Sequence, residues 1–323
     1  MRMAVLAASI AVTSIMPSFS AHAEWPDRPI KMIVPFSAGS SSSTIARIVA
    51  AKMGDSLGQQ VVVENRVGGS TIIGTDAVAK SAPDGYTIEL ANTTTHAASA
   101  ALNANLPFDP IKDFAPVAMI GSSPFVLIGA TQLSTPTLKD FVALAKAKPN
   151  SLSYASAGTG TLAHLAGELF KHKAGVQITH VPYRGSEQSM FDLMKGRIEL
   201  SVSTIPPTLA HIREGTLRAY AVMSEKRNAM LPDIPTVGEA GVPGCEAALW
   251  TAVVVPAAVP PAIIKRLQQA VIDAVNSPQL QEALKIQGVD AEPGPPEVVA
   301  ARIKADIVKW REVVADAHIV VAK

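Results

Sequence analysis

A chain of 323 residues is longer than a usual single domain, so its length favours two domains. Hydrophobic residues make up 48% of the sequence, which supplies enough material for buried cores and argues against disorder. The 28 basic and 27 acidic side chains nearly cancel, and such a balance predicts neither a nucleic-acid partner nor electrostatic attachment to a membrane.

The first 23 residues have the pattern of a secretory signal peptide. Arg2 is followed by an apolar run from Met3 to Met16, and Ala21-His22-Ala23 places small residues at the two positions that a signal peptidase reads. The run is shorter than the roughly 20 apolar residues that span a bilayer, which makes a membrane anchor the weaker interpretation. We therefore expect cleavage before Glu24 and export to the periplasm.

The remaining chain alternates short β-branched runs with amphipathic stretches, a pattern typical of an α/β protein with mainly parallel sheets. The periodicity predicts strands at 30–35, 61–64, 87–91, 125–129, 152–156, 177–181, 198–202 and 217–223. Helices are predicted at 45–57, 162–173, 186–195, 206–214, 261–276 and 296–317. A further helix should begin at the capping pair Thr135-Pro136 and end near Pro149.

Two loops of similar composition follow predicted strands and open predicted helices. The first contains Ser37, Ala38 and Gly39 followed by four consecutive serines, and the second contains Ala157-Gly158-Thr159-Gly160-Thr161, 119 residues after the first. Each loop places hydroxyl groups beside the unpaired N–H groups of a helix N-terminus, which favour an anion. Capping a helix needs one hydroxyl, so two such loops predict the facing halves of one binding site.

The patterns of common catalytic sites are absent from the sequence. No Gly-x-Ser-x-Gly elbow or His-Glu-x-x-His motif occurs, and the single cysteine, Cys245, has no nearby base and cannot form an internal disulfide. The segment Gly158 to Ala163 matches a dinucleotide fingerprint, so a nicotinamide-dependent enzyme is an alternative. The next strand ends in Pro182-Tyr183-Arg184 and lacks the acid that would hold a ribose. We therefore expect no cofactor, no metal and no catalysis.

Short motifs spread over the whole chain after the signal peptide carry a family resemblance. They are Trp25-Pro26-Asp27-Arg28-Pro29-Ile30, Val34-Pro35-Phe36, Val63-Glu64-Asn65-Arg66, Ala82-Pro83-Asp84-Gly85-Tyr86-Thr87, Tyr154-Ala155-Ser156-Ala157-Gly158, His180-Val181-Pro182-Tyr183-Arg184-Gly185 and Pro232-Asp233-Ile234-Pro235-Thr236. In this order they resemble the extracytoplasmic receptors of tripartite tricarboxylate transporters, the Bug family.

The resemblance implies a type II periplasmic binding protein fold, with two α/β lobes joined by two crossing strands and a ligand cleft between them. Lobe 1 would comprise residues 25–122 plus 246–323, and lobe 2 residues 123–245. A small carboxylate would be held by the two loops, and the membrane subunits of a transporter would be the partners. We expect a monomer. A periplasmic sensor for a signalling partner would need the same cleft and stays open as an alternative.

Other residues join the expected site because they match family positions or lie beside the loops. Thr94 lies in a segment at the cleft edge, His164 is in the first turn of its helix, and Trp250 stands where the family often has an aromatic residue. The expected binding set is Ser37, Ala38, Gly39, Ser41, Ser43, Thr94, Ala157, Gly158, Thr159, Thr161, His164, Ser203 and Trp250.

Ser43 and Ser203 stand where family members commonly have aspartate. A carboxylate in the cleft would repel a carboxylate ligand, whereas serine removes the repulsion and can donate a hydrogen bond. The sequence therefore predicts a dicarboxylate or an aromatic carboxylate as the ligand, with terephthalate as the preferred guess.

Overall fold

The computed structural model describes residues 25–183 and 186–319, so the expected signal peptide, Glu24 and Arg184 lie outside the described residues. The strands of this part of the chain are β1 (Ile30–Val34), β2 (Val61–Asn65), β3 (Thr87–Asn92), β4 (Phe114–Ala130), β5 (Ser153–Ser156), β6 (Thr179–Pro182), β7 (Leu200–Thr204), β8 (Leu217–Val222), β9 (Ala248–Pro256) and β10 (Asp290–Gly294).

The helices of the described ranges alternate with the strands over most of the chain. They are α1 (Ser41–Leu57), α2 (Ile72–Ala79), α3 (Ser99–Leu102), α4 (Leu138–Ala147), α5 (Leu162–Ala174), α6 (Ser186–Met194), α7 (Ile205–Arg213), α8 (Pro261–Asn276), α9 (Pro278–Ile286) and α10 (Pro296–Asp316). A 3-10 turn at Gly69–Thr71 precedes α2, and a π-helical turn at Thr94–Ala98 follows β3.

The strands form one continuous sheet in the order β2-β1-β3-β9-β4-β7-β5-β6, and β8 and β10 also pair with β4. The strands β1, β2 and β3 run parallel to one another, as do β5, β6 and β7. The α/β class expected from the alternating pattern is thus confirmed.

Strand β4 is 17 residues long and belongs to both halves of the sheet. Its first part pairs with β9 and β10, and its second part, from Phe125 onward, pairs with β7 and β8. Between the two parts, the backbone N–H of Phe125 donates to Ala247, that of Ala247 to Met223, and that of Met223 back to Phe125. This ring of bonds joins the two halves where the chain crosses between them.

The strand register brings the carboxyl ends of the parallel strands in the two halves of the sheet toward each other. The carboxyl end of β3, at Asn92, pairs with Thr251 of β9, which in turn pairs with Gly121 of β4. From the other half, the carboxyl end of β7, at Thr204, pairs with Phe125. Loops that follow β1, β3, β5 and β7 therefore converge on the short segment between Gly121 and Phe125, where open α/β sheets bind their ligands.

Sequence periodicity was weakest where prolines and glycines interrupt the strands. The predicted strand at 125–129 is the second part of β4, whose first part contains Pro116, Gly121 and Pro124 and was missed. The helix expected to begin at Thr135 begins later, because Thr137 is its N-cap and forms a capping box with Asp140. Thr135 is instead buried, with its hydroxyl bonded to the hydroxyl of Tyr220 at 2.6 Å.

A carboxyl group and an imidazole lie fully buried behind β3. The Glu89 side chain accepts a hydrogen bond from the hydroxyl of Thr75 at 3.1 Å, and its Oε1 is 3.9 Å from Nδ1 of His96. Within the described residues, Oε2 of Glu89 and Nε2 of His96 have no hydrogen-bond partner. Burial raises the pKa of Glu89 to about 8 and lowers that of His96 to about 3.

Candidate functional site

The loop after β1 is held in place as the cap of α1. Ser40 is the N-cap residue: its hydroxyl accepts the N–H of Ser43 and donates to the carbonyl of Ser37. The next two N–H groups of the helix, those of Ser41 and Ser42, precede the first intrahelical bond and are therefore available to a ligand. No acidic residue lies in the first turn of α1, so its positive end is not neutralised by its own side chains.

A layer of polar side chains supports this loop from below. The Asn65 side chain donates to the carbonyl of Phe36 at 2.9 Å and to the hydroxyl of Ser43 at 2.9 Å. Asn92 accepts the N–H groups of Thr94 and Thr95, so the backbone donor of Thr94 is already occupied. Because these amides lie at the ends of β2 and β3, they fix the loops relative to the sheet.

A cavity of about 380 Å³ lies between the N-termini of α1 and α7, above the crossing strands. Its volume is in the range of small-molecule sites. The polar lining is Ser41, Ser42, Ser123, Thr204, Thr251 and Gln287, and the remaining lining residues, such as Ile45 and Leu249, are apolar. No ionisable side chain is among the described residues that line it. A charged ligand here would be held by hydroxyls, amides and helix termini alone.

Thr204 is the N-cap residue of α7, but its side chain makes no capping bond. A capping hydroxyl accepts the N–H of the second or third helical residue. These residues are Pro206 and Pro207, which have no N–H to donate. The hydroxyl of Thr204 is therefore left available at the wall of the cavity.

The loop after β5 is capped in the same way as the first one. Thr161 is the N-cap residue of α5; its hydroxyl accepts the N–H of His164 and donates to the carbonyl of Gly158. Gly158 and Gly160 have φ angles of +132° and +77°, which side chains rarely adopt. Thr159 is exposed at the tip, while Ala157 and Thr161 are half-buried.

Several expected site residues have structural partners instead of facing a ligand. Ser43 is fully buried and its hydroxyl is occupied by Asn65, so it supports the loop from behind. Trp250 is buried in the core, and its indole N–H donates to Asp306 of α10 at 2.8 Å. His164 is also buried, with Nδ1 accepting the N–H of Gly160 at 3.1 Å. In the structure these three residues lie behind the loops or in the core.

Ser203 and Thr204 are neighbours in β7, but their side chains have different surroundings. Ser203 is buried, and its hydroxyl has no hydrogen-bond partner in the described structure, whereas Thr204, one residue later, lines the cavity. Successive residues of a strand point to opposite faces, so the residue type alone could not choose between them. Aspartate at position 203 would bury a carboxylate, so position 204 is the better place to test charge in the cavity.

Sequence reasoning also missed Ser42, Ser123, Thr251 and Gln287. Ser123 and Thr251 lie on the crossing strands, and Gln287 follows α9, an element that the periodicity did not reveal. The hydroxyl of Ser41 donates to Oε1 of Gln287 at 3.2 Å, which joins the predicted loop to this unpredicted segment. Of the residues expected from the sequence, Ser41 lines the cavity, while Ser37, Ala38 and Gly39 are exposed just before it.

The two crossing strands, and a cavity where the two halves of the α/β sheet meet, define a type II periplasmic binding protein. The chain belongs to the tripartite tricarboxylate transporter receptor family, since residues 45–318 match the model of that family. BugT of Bordetella pertussis is 38% identical over 315 residues, covering 97% of this chain and 96% of that protein.

Solved structures agree with this assignment. Rpa4515 of R. palustris, solved with adipate, is 34% identical with a TM-score of 0.76, covering 92% of this chain and 99% of that one. MatC of Rhodopseudomonas palustris, solved with bound malate, is 31% identical with a TM-score of 0.73, covering 90% of this chain and 100% of that one. The protein is thus a solute-binding receptor of a periplasmic family and not an enzyme, as expected from the sequence.

Burial raises the pKa of the Cys245 thiol to about 12, which removes its nucleophilic form at neutral pH. Among the helices of the described ranges, none has the length and apolar character needed to cross a membrane.

Proposed function

We propose that the protein binds a small aliphatic dicarboxylate in the cleft and delivers it to the membrane components of a tripartite tricarboxylate transporter. The observation that carries this proposal is the cavity at the N-terminus of α1, which offers free N–H groups and hydroxyls but no acidic side chain among the described lining residues. Such a lining favours a carboxylate, because helix N-termini attract negative charge and nothing in the lining repels it.

A second carboxylate would be held by the opposite half of the cleft. Helix α5 also lacks an acidic residue in its first turn, and its capped loop follows β5, whose carboxyl end faces the crossing segment. The ligands of two structural relatives, adipate and malate, are both aliphatic dicarboxylates. These relatives support the same chemical class for this chain.

The aromatic alternative, terephthalate, has less support. An aromatic side chain in the cleft would favour a flat ligand, but Trp250 is buried and its N–H is bonded to Asp306. The cavity lining contains no aromatic side chain among the described residues. Terephthalate therefore serves as the competing ligand in the test below.

A panel of ligands tests this proposal through thermal stability. Ligand at a hundred times its dissociation constant stabilises the fold by about 2.7 kcal/mol. We expect adipate, malate or succinate to raise the melting temperature more than terephthalate, and the matching monocarboxylates to have little effect. Titration calorimetry would then give the affinities. A panel in which no dicarboxylate shifts the melting temperature would refute the proposed function.

We also propose that lobe 1 comprises residues 25–122 and 246–323 and lobe 2 residues 123–245, and that binding brings the lobes together. Two contacts cross between these segments beside the cavity: Asn228 donates to Asp290 at 2.7 Å, and Pro206 packs against Gly288. A methyl group at Gly288 would lie 2.4 Å from Cγ of Pro206. The lobes can approach closely at this point because Gly288 has no side chain.

Replacing Gly288 with alanine is therefore expected to weaken dicarboxylate binding. Overpacking of this kind costs about 1–3 kcal/mol, which corresponds to a loss of affinity of about 5- to 150-fold for a contact of the closed form. Gly215→Ala is the matched control, because Gly215 has nearly the same φ angle, +71° against +72°, and open space where the methyl group would be. Calorimetry should show weakened binding in Gly288→Ala alone; equal affinities in both variants would contradict closure at this contact.

A further inference from the structure

The second ligand loop rests on a pair of stacked histidine rings. The rings of His164 and His180 are nearly parallel, with centroids 3.9 Å apart, and the ring of Tyr154 also stacks on His180, with centroids 4.9 Å apart. His164 lies in the first turn of α5 and His180 in β6, so the pair ties the loop to two elements of the sheet layer. The proposed function does not by itself require either ring.

The hydrogen bonds of His164 define its protonation state. A backbone N–H can only donate, so the 3.1 Å bond from Gly160 requires Nδ1 of His164 to be an unprotonated acceptor. The ring proton must then be on Nε2, which lies 4.0 Å from Oε1 of Glu168. The Gly160 bond therefore exists only while His164 is neutral.

His180 acts on the same loop through Ser156. Its Nε2 is 2.7 Å from the hydroxyl of Ser156, and that hydroxyl accepts the N–H of Gly158 at 3.2 Å. The two imidazoles thus hold the two glycine N–H groups of the loop, one directly and one through a serine. Both glycines have positive φ angles, so the backbone between them has few conformational restraints of its own.

The surroundings keep the pair neutral. The carboxylate of Glu168 accepts from the hydroxyl of Tyr154 at 2.7 Å and from the ammonium of Lys171 at 2.7 Å. Its charge favours an imidazolium at His164, but burial outweighs it and the charge of Lys171 opposes it. Burial, together with the neighbouring His164, lowers the pKa of His180 to about 4, and burial also lowers the pKa of His164. At this distance, a positive charge on one ring would also disfavour protonation of the other ring.

We propose that His164 and His180 are positioning residues of the receptor, whose neutral rings fix the glycine N–H groups so that the exposed tip of the loop at Thr159 is preorganised for a ligand carboxylate. The inference rests on the proposed function, since it assigns a ligand to this loop. Preorganisation raises affinity because the loop is already ordered before the ligand arrives.

The test compares His164→Ala with His164→Asn. The amide oxygen of asparagine can occupy the place of Nδ1 and accept the Gly160 N–H, whereas alanine leaves it without an acceptor; both variants lose the ring stack, so its structural contribution cancels. We expect His164→Ala to weaken adipate binding by about 10-fold and to speed hydrogen exchange at the Gly160 amide by a similar factor. His164→Asn should stay within about threefold of the wild type in both measurements.

Each outcome has a defined meaning. Unchanged adipate affinity in His164→Ala, or equal losses in the two variants, would overturn the positioning role while leaving the proposed function intact. If the wild type binds neither adipate nor malate, the proposed function fails, and the exchange measurement alone tests the Gly160 bond. Faster exchange in His164→Ala, with a wild-type rate in His164→Asn, would support the bond. Equal exchange in all three proteins would overturn it.

Discussion

Thr204→Asp is expected to weaken binding of a dicarboxylate by about 100- to 1,000-fold. Thr204 lines the cavity at the N-terminus of α7, where Pro206 and Pro207 leave its side chain without a capping partner. An added carboxylate would therefore face the ligand without being neutralised by helix N–H groups. Two charges 4 Å apart repel by about 4 kcal/mol at an effective dielectric constant near 20.

Thr204→Asn is the control for this experiment, because asparagine has nearly the same shape as aspartate and no charge. Titration calorimetry of both variants with adipate, and with a neutral analogue of similar length such as adipamide, separates charge from shape. The aspartate variant should lose affinity for the diacid far more than the asparagine variant does. Equal losses in the two variants would show that the ligand's charge does not lie near Thr204, and the cavity would no longer be the candidate site.

The second large effect concerns stability at alkaline pH. The pKa of Glu89 is raised to about 8 from an ordinary 4.5, so the folded protein holds this proton more tightly than the unfolded chain does. The stabilisation is fully present below pH 4.5 and is lost as the pH rises to 8. Because one pKa unit corresponds to about 1.4 kcal/mol, the loss is on the order of 5 kcal/mol across this window.

Glu89→Gln removes this pH dependence, because glutamine has the shape of the protonated acid and does not titrate. Denaturant unfolding of both proteins between pH 5 and pH 9 should show similar free energies of unfolding at the acid end and an increasing advantage of the variant toward pH 9. Parallel curves would contradict this prediction, because they would mean that Glu89 holds no extra proton in the folded protein.

The sequence predicted the architecture better than the site. Strand and helix periods predicted β1, α5 and α8 nearly to the residue, because each is regular and bounded by glycine, proline or a capping hydroxyl. Helix α1 begins four residues before its predicted start at residue 45. Strand β9 was not assigned, since a run buried on both faces shows no alternation. The family resemblance implied two crossing strands, which the structure contains as β4 and β9.

Site residues were harder to predict, because the direction in which each side chain points decides whether it lines the cavity or supports the loop. Four consecutive serines in the first loop have different surroundings: Ser40 caps the helix, Ser41 and Ser42 line the cavity, and Ser43 supports Asn65. Composition identified the loop, but only the helix geometry separates these roles. Thr251 and Gln287 are distant in sequence from both loops and carry no motif that could have revealed them.

The shared strand β4 limits how this receptor can be engineered. The proposed lobe 2, residues 123–245, would join the proposed lobe 1 at two neighbouring points, because Pro124 pairs with Ala248. This arrangement resembles a removable insertion. However, the same strand supplies pairing partners to β7 and β8 in one half and to β9 and β10 in the other. Excising either half would leave the other with an uncovered sheet edge, which is a site for aggregation. A biosensor should therefore carry its reporters on surface turns of the intact chain, and the halves cannot be treated as interchangeable modules.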